Sequence, residues 1–231
     1  MLDPARDITI VYYYDNTLPA AFAERMQRQL ARCARKENNI PIISVSQKPI
    51  KFGWNICMGD IGRSYFSLYK QVITGCRYAE TPYVALCEAD VFYQRTHFHL
   101  RPDQYDGIYD QNCHRFLVKQ RCFCLYRGGR SLFLLVGDRE KIIENFERKL
   151  ALFKTEKDFS KRFEPGKGEA ELGLPPFTIT PGAGAYSNIH ICNHGYNLSP
   201  KAKRPAWTTD MLPDGMTVDE AIREWEVPVG R

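Results

Sequence analysis

Three apolar runs alternate with two stretches of helical period, and that alternation leaves the chain few architectures to adopt. Ile8–Tyr14 is rich in β-branched and aromatic residues and stops at Asp15-Asn16, the pattern of a buried strand. Leu18, Phe22, Met26, Leu30 and Cys33 then recur at steps of four and three with Arg and Lys between them, which predicts an amphipathic helix with a basic outer face. Ile40–Val45 reads as a second strand. The helical period returns from Ile61 through Tyr65, Leu68, Tyr69, Val72 and Cys76, and Tyr83–Cys87 reads as a third strand. An order β-α-β-α-β implies an α/β fold, a mostly parallel sheet flanked by helices. Ligands of such sheets sit beyond the carboxyl ends of the strands, where Asp15, Glu88 and Asp90 fall.

The second half is less regular. Residues 121–126 read as a strand followed by a Gly128-Gly129 turn, and Asp138 can cap a helix whose apolar face is Ile142, Phe146, Leu150 and Phe153. Residues 154–176, charged and rich in Gly and Pro, read as a loop of functional interest. Short strands are expected near Phe177–Ile179 and Asn188–Ile191. Thr217 with Glu220 forms a capping box for a last short helix carrying Ile222 and Trp225. We expect one catalytic domain over residues 1–205 and a C-terminal extension over 206–231.

At 231 residues and 44% hydrophobic the chain can bury a substantial single core. No run approaches the roughly 18–20 apolar residues of a membrane span. Met1–Asp7 lacks the basic-then-apolar pattern of a signal peptide, so a cytoplasmic protein is expected. That setting predicts reduced thiols. Cys57, Cys76 and Cys87 lie in or near apolar segments, and Cys122-Phe123-Cys124 is spaced too tightly for a usual zinc pair, so the cysteines read as buried free thiols. A net charge of +5 mildly favours anionic partners without selecting one.

Glu88-Ala89-Asp90 places two carboxylates two residues apart at the end of an apolar strand. If the chain stays extended both face one side and can share a hard cation. An acidic turn closing a strand has the same spacing, so spacing alone leaves both readings open.

The run Asp60-Ile61-Gly62-Arg63-Ser64, the helix to Gln71, and Pro82 through Tyr93 together resemble glycosyltransferases of the GT-A fold. The likeness is to the branch related to family 2 transferases, including small bacterial and phage members. It spans about residues 7–200 and is strongest over 60–93 and 188–199.

That resemblance implies a Rossmann-like single domain that binds Mn²⁺ or Mg²⁺ and a nucleotide-sugar donor such as UDP-glucose. In that family the strand-end acidic motif, often Asp-x-Asp, carries the metal. This chain has Glu88 where the first Asp would stand, and Asp90 is the favoured ligand. His194, followed by Gly195, resembles the further ligand that many members supply from a late strand, with His190 as the second choice.

The strand-one end, Tyr12 through Asp15, falls where the family holds the nucleotide base, with Tyr12, Tyr14 and Asp15 as the candidates. Arg63 falls near the diphosphate, Ala89 within the metal motif, and Asp110 and Asn112 where relatives contact the sugar. An inverting transfer needs a general base. The family places an acidic residue well downstream of the metal motif, and Glu164, Glu169 and Glu171 are the candidates, Glu169 first.

The acceptor is expected to be a hydroxyl of a hydroxymethylated pyrimidine in DNA, or else of a glycan or lipid-linked glycan. Lys201, Lys203, Arg204 and Trp207 could track phosphates and stack on a base. Two other classes are weighed. A nucleotidyltransferase would share the sheet, but no Gly-rich, Lys- or Arg-bearing phosphate loop follows strand one. A non-catalytic nucleotide-sugar binding module would need no base.

Overall fold

The computed structural model describes residues 7–110, 113–117, 122–126, 130–152, 164–181, 188–192, 220 and 223. Ile8–Tyr14 forms strand β1 with every residue buried, as expected for a central strand covered on both faces. Burial of each large apolar side chain contributes about 1.5–3 kcal/mol relative to leaving it exposed. Helix α1 (Ala20–Lys36) buries Phe22, Met26, Leu30 and Cys33, the predicted stripe, while Leu18 stays in the entering loop.

β2 (Ile42–Ser46) pairs parallel with β1, and β3 (Trp54–Cys57) pairs parallel with β2 at the sheet edge. Helix α2 (Tyr65–Tyr78) starts later than its apolar period suggested. Ser64 caps it by accepting from Ser67 N at 3.1 Å, and Gly62, at φ +76°, holds the preceding turn. β4 (Tyr83–Glu88) returns parallel to the other side of β1, with Tyr13 opposite Glu88.

Two further strands complete this sheet. β6 (Gly107–Tyr109) and β9 (Leu135–Asp138) give the order β3-β2-β1-β4-β9-β6, with β9 antiparallel to both neighbours. A second sheet has the order β5-β10-β7-β8, from β5 (Val91–Phe92), β7 (Cys113–Leu117), β8 (Cys122–Tyr126) and β10 (Asn188–Cys192). The mostly parallel sheet with flanking helices is the α/β architecture expected.

β3, β6, β7 and β9 were not anticipated. Each is five residues or fewer, too short for a period to emerge. Phe177–Ile179 forms no strand; Ile179 makes an isolated bridge to Gly107.

Asp138 caps α3 (Arg139–Leu152) as predicted, accepting from Lys141 N at 3.0 Å. Phe153, the Gly128-Gly129 turn, and the extension apart from Glu220 and Arg223 lie outside the described residues. Cys33, Cys57, Cys76, Cys87 and Cys113 are free thiols, but Cys57 is exposed, at the end of the edge strand β3. No described helix is long and apolar enough to cross a membrane.

Alternation along β1 distributes the helices. Tyr12 turns to α1, where Gln27 Nε2 donates to its hydroxyl at 3.2 Å. Val11 turns to α2, which approaches so closely that a Cβ on Gly75 would lie 2.4 Å from Val11 Cγ1. The two helices therefore cover opposite faces, as right-handed crossovers running in opposite directions across the sheet, β1 to β2 through α1 and β3 to β4 through α2, require.

Gly75→Ala should destabilise the protein. Overpacking costs about 1–3 kcal/mol, and the helix-propensity gain of about 1 kcal/mol does not offset the overlap with a branched core side chain. Gly75→Val should cost more. Urea unfolding should show lower midpoints at unchanged m-value, and wild-type midpoints in both variants would contradict this packing.

Candidate functional site

β1 is followed by a crossover to β2 on one side and is approached from the other by β4, so the chain changes direction between β1 and β4. The crevice outside the carboxyl ends of the strands at such a switch point is where open α/β sheets bind ligands. Here it is a cleft of about 580 Å³, lined by the end of β1, the Gly62–Gln71 segment and the end of β4. Asp15, Arg63, Glu88, Ala89 and Asp90 all line it, brought together from three separate stretches of sequence.

The acidic motif does not continue as an extended strand. β4 ends at Glu88, Ala89-Asp90 forms a turn, and β5 begins at Val91. The two carboxylates consequently have different partners. Tyr13 Oη donates to Glu88 Oε1 at 2.7 Å across the β1–β4 register. The Glu88 backbone N–H donates to Tyr93 Oη at 2.9 Å.

Asp90 is held from the second sheet. Ile191 N donates to Asp90 O at 2.8 Å, and His190 Nε2 lies 3.4 Å from Asp90 Oδ2. His190 packs against Phe133 with ring centroids 4.9 Å apart. Of the two histidines weighed as metal ligands, His190 stands beside the acidic motif and His194 lies outside the described residues.

β10 carries its own anchor two residues before His190. Asn188, fully buried, donates through Nδ2 to Asp110 Oδ2 at 3.0 Å and accepts from Gln94 N at 2.9 Å. His97 Nδ1 lies 3.3 Å from the same Asp110 oxygen. Asp110 therefore sits inside the protein between the sheets and does not line the cleft. Asn112 lies outside the described residues.

At the β1 end, position along the strand decides which tyrosines the cleft receives. Tyr12 is buried against Phe52, with ring centroids 4.9 Å apart, and does not line the cleft; Tyr13 and Tyr14 do. Tyr14 Oη donates to Leu18 O at 3.0 Å, and burial, with Asp15 adding to it, pushes its phenol up to about 12. Asp15 pairs with Arg63 at 3.0 Å and accepts from Thr17 Oγ1 at 2.7 Å.

Tyr13 falls within the strand-one end expected to meet the base, but sequence reasoning missed Gln71 and Tyr65 as cleft residues. Gln71 Nε2 donates to Tyr14 O at 2.9 Å, fixing the strand end to α2. Tyr65 belongs to the apolar period of α2 yet is 39% exposed at the cleft, where it is the first residue of the helix.

The cleft carries Asp15, Glu88 and Asp90 against Arg63 alone. Among the described residues no three His, Cys, Asp or Glu side chains stand together as a metal site. Two carboxylates nevertheless suit Mg²⁺ or Mn²⁺, which complete their shells with water and phosphate oxygens.

The three loop glutamates lie elsewhere, and none lines the cleft. Glu171 is exposed and Glu164 buried. Glu169 is buried as well, and its Oε1 accepts from Lys149 Nζ at 2.8 Å, Asn145 Nδ2 at 3.0 Å and Gly166 N at 2.8 Å. Burial alone would raise the Glu169 carboxyl, but these donors outweigh it and hold it below its usual value. Burial lowers the Lys149 ammonium in turn. The pair closes residues 164–173 onto α3, a poor setting for a proton acceptor.

Glu169→Gln should therefore show first as lost stability, by about 3 kcal/mol or more, since it strands a buried ammonium. A depressed carboxyl stabilises the fold above its unfolded value and ceases to do so as pH falls through its folded value. The gap between wild type and Glu169→Gln should narrow as pH drops below about 4.5, the ordinary carboxyl value. Equal melting temperatures at pH 7 would refute the clamp.

No family model matches the chain, and no curated protein matches it in sequence. Its structure is similar to that of a glycosyltransferase involved in glycosylation of the major capsid of PBCV-1, at 9% identity and a TM-score of 0.47, covering 82% of this chain and 94% of that one. It is similar to Drosophila β1,4-galactosyltransferase 7, a mutant in complex with manganese, UDP-Gal and xylobiose, at 11% identity and a TM-score of 0.46, covering 92% and 83%. It is also similar to the bifunctional IspDF of Campylobacter jejuni, at 9% identity and a TM-score of 0.40, covering 86% of this chain but spanning only 51% of that protein.

Proposed function

We propose that the strand-end cleft binds a nucleotide-sugar, a UDP-sugar in the first instance, and transfers its sugar to an acceptor hydroxyl with the help of a divalent cation. One observation carries this reading. The cleft at the β1–β4 switch point gathers Glu88 and Asp90 with Arg63 and the aromatic residues Tyr13, Tyr14 and Tyr65.

Charge argues for the cation. Three carboxylates against one guanidinium would repel a nucleoside diphosphate, so a donor of that charge needs a positive ion between itself and Glu88 and Asp90. Asp90 and Glu88 would hold that ion, with His190 at the side of Asp90. Bound there, it supplies Lewis-acid neutralisation of the departing diphosphate.

The chain's own residues do the rest. Arg63 can leave Asp15 for phosphate oxygens, to which a guanidinium is well matched. Tyr65 offers an exposed ring for the base to stack on. Tyr13 keeps Glu88 fixed through its hydroxyl, and His190 orients Asp90.

The acceptor is a hydroxyl of a glycan or of a modified DNA base. A DNA acceptor would bind more weakly as salt is added, in proportion to the phosphates contacted, and a neutral glycan would not. The basic residues Lys201, Lys203 and Arg204 lie outside the described residues.

Calorimetry should detect UDP binding in the presence of Mn²⁺ and little after chelation. Asp90→Asn should cut UDP release from a UDP-sugar by about 10²-fold or more, the loss expected for a group acting on transition-state charge. It should leave the melting temperature of the unliganded protein nearly unchanged. Absence of UDP binding with metal present would overturn the donor assignment. Release of pyrophosphate from a nucleoside triphosphate would identify a nucleotidyltransferase instead.

A further inference from the structure

A second cleft lies on the α1 face of the sheet. β2 and β3 are parallel, yet only the seven residues 47–53 join them. Parallel crossovers commonly need a dozen or more residues and carry a helix. This one turns back at Gly53, at φ +57°, where a Cβ would lie 2.4 Å from Ile42 O. The missing helix leaves a gap of about 750 Å³ between the loop and α1.

The lining of this gap has the opposite charge balance to that of the strand-end cleft. Arg28, Lys48 and Lys51 face it against Glu24 alone, and Glu24 lies 3.8 Å from Arg28. No carboxylate among the described residues pairs with Lys48 or Lys51. Ala23, Ala31, Ile50 and Phe52 give the same space an apolar floor. The two clefts share one wall, Tyr14 and Leu18, closed by the hydrogen bond between them.

The lysine-bearing loop is held in place before any ligand arrives. Asn16, in the left-handed region at φ 60°, accepts through Oδ1 from Gln47 N and Lys48 N, each at 2.8 Å. Ser46 Oγ donates to Lys48 O at 2.7 Å, and Ile50 N donates to Asn55 Oδ1 at 3.1 Å. A fixed loop loses little entropy on binding, which favours a ligand site over a merely solvated surface.

We propose that this cleft is a second binding site, distinct from the strand-end cleft, for a phosphomonoester that carries an apolar or ring-shaped group. Two ammonium groups without carboxylate partners match the charge of a phosphate dianion. The space is far larger than a phosphate and falls in the range of small-molecule sites, so the apolar floor receives the organic part. The inference stands on this cleft alone and does not require the transferase reading.

Calorimetric titration in EDTA tests it with phenyl phosphate, glucose 1-phosphate and inorganic phosphate as probes. Phenyl phosphate should bind saturably, more tightly than inorganic phosphate and less tightly as salt is added. Lys48→Gln/Lys51→Gln should weaken it by about tenfold or more, the worth of hydrogen bonds to charged groups, at an unchanged melting temperature. Arg63→Ala, which alters only the other cleft, should leave it unaffected. The proposal is overturned if no saturable binding appears below about 1 mM. It is equally overturned if inorganic phosphate binds as well as phenyl phosphate, or if Arg63→Ala removes the binding and the lysine pair does not.

Discussion

β1 and β4 lie in parallel register from Ile8 opposite Tyr83 to Tyr13 opposite Glu88, joining segments 75 residues apart in the chain. That pairing places two strand ends side by side and leaves α1 and α2 on opposite faces. A crevice at the strand ends follows from the topology before any particular side chain is considered. Shifting the register by one residue would turn Tyr13 away from Glu88 and bring the Tyr12 ring out of the core. The site depends on this ladder more than on any single contact within it.

The second sheet acts on the same site from below. β10 pairs with β5 and β7, and the Asn188–Asp110–His97 cluster, whose three side chains are fully buried, ties its first residue to the rest of the protein. Buried polar groups of this kind are costly unless paired, so a cluster whose members bond one another restricts how the strand can seat. His97 Nε2 has no partner among the described residues, which leaves the cluster incompletely satisfied at one atom. The benefit appears two residues along, where His190 meets Asp90.

Much of the frame was legible in the sequence because long elements carry their period with them. β1, α1, α2, β4 and α3 announced themselves through repeating apolar positions, and Asp138 marked its cap. The short strands β3, β6, β7 and β9 did not, since a few residues in a ladder take their conformation from their neighbours. At the site, the residue types at the strand ends were readable but their directions were not. Tyr12 and Asp110 look like ligand-facing polar groups on paper, yet Tyr12 stops short of the strand end and packs on Phe52, and the sheet interface encloses Asp110. Glu169 illustrates the same limit. Nothing local reveals that Lys149, 20 residues earlier, will be buried against it.

The turn at Ala89-Asp90 has a mechanical consequence. Glu88 answers to Tyr13 on the large sheet, and Asp90 answers to His190 on the small one. The gap between the two carboxylates is thus the opening of a caliper whose jaws belong to different layers. Any change in how the layers sit on each other is delivered to that gap directly, and the hinge is only two residues long.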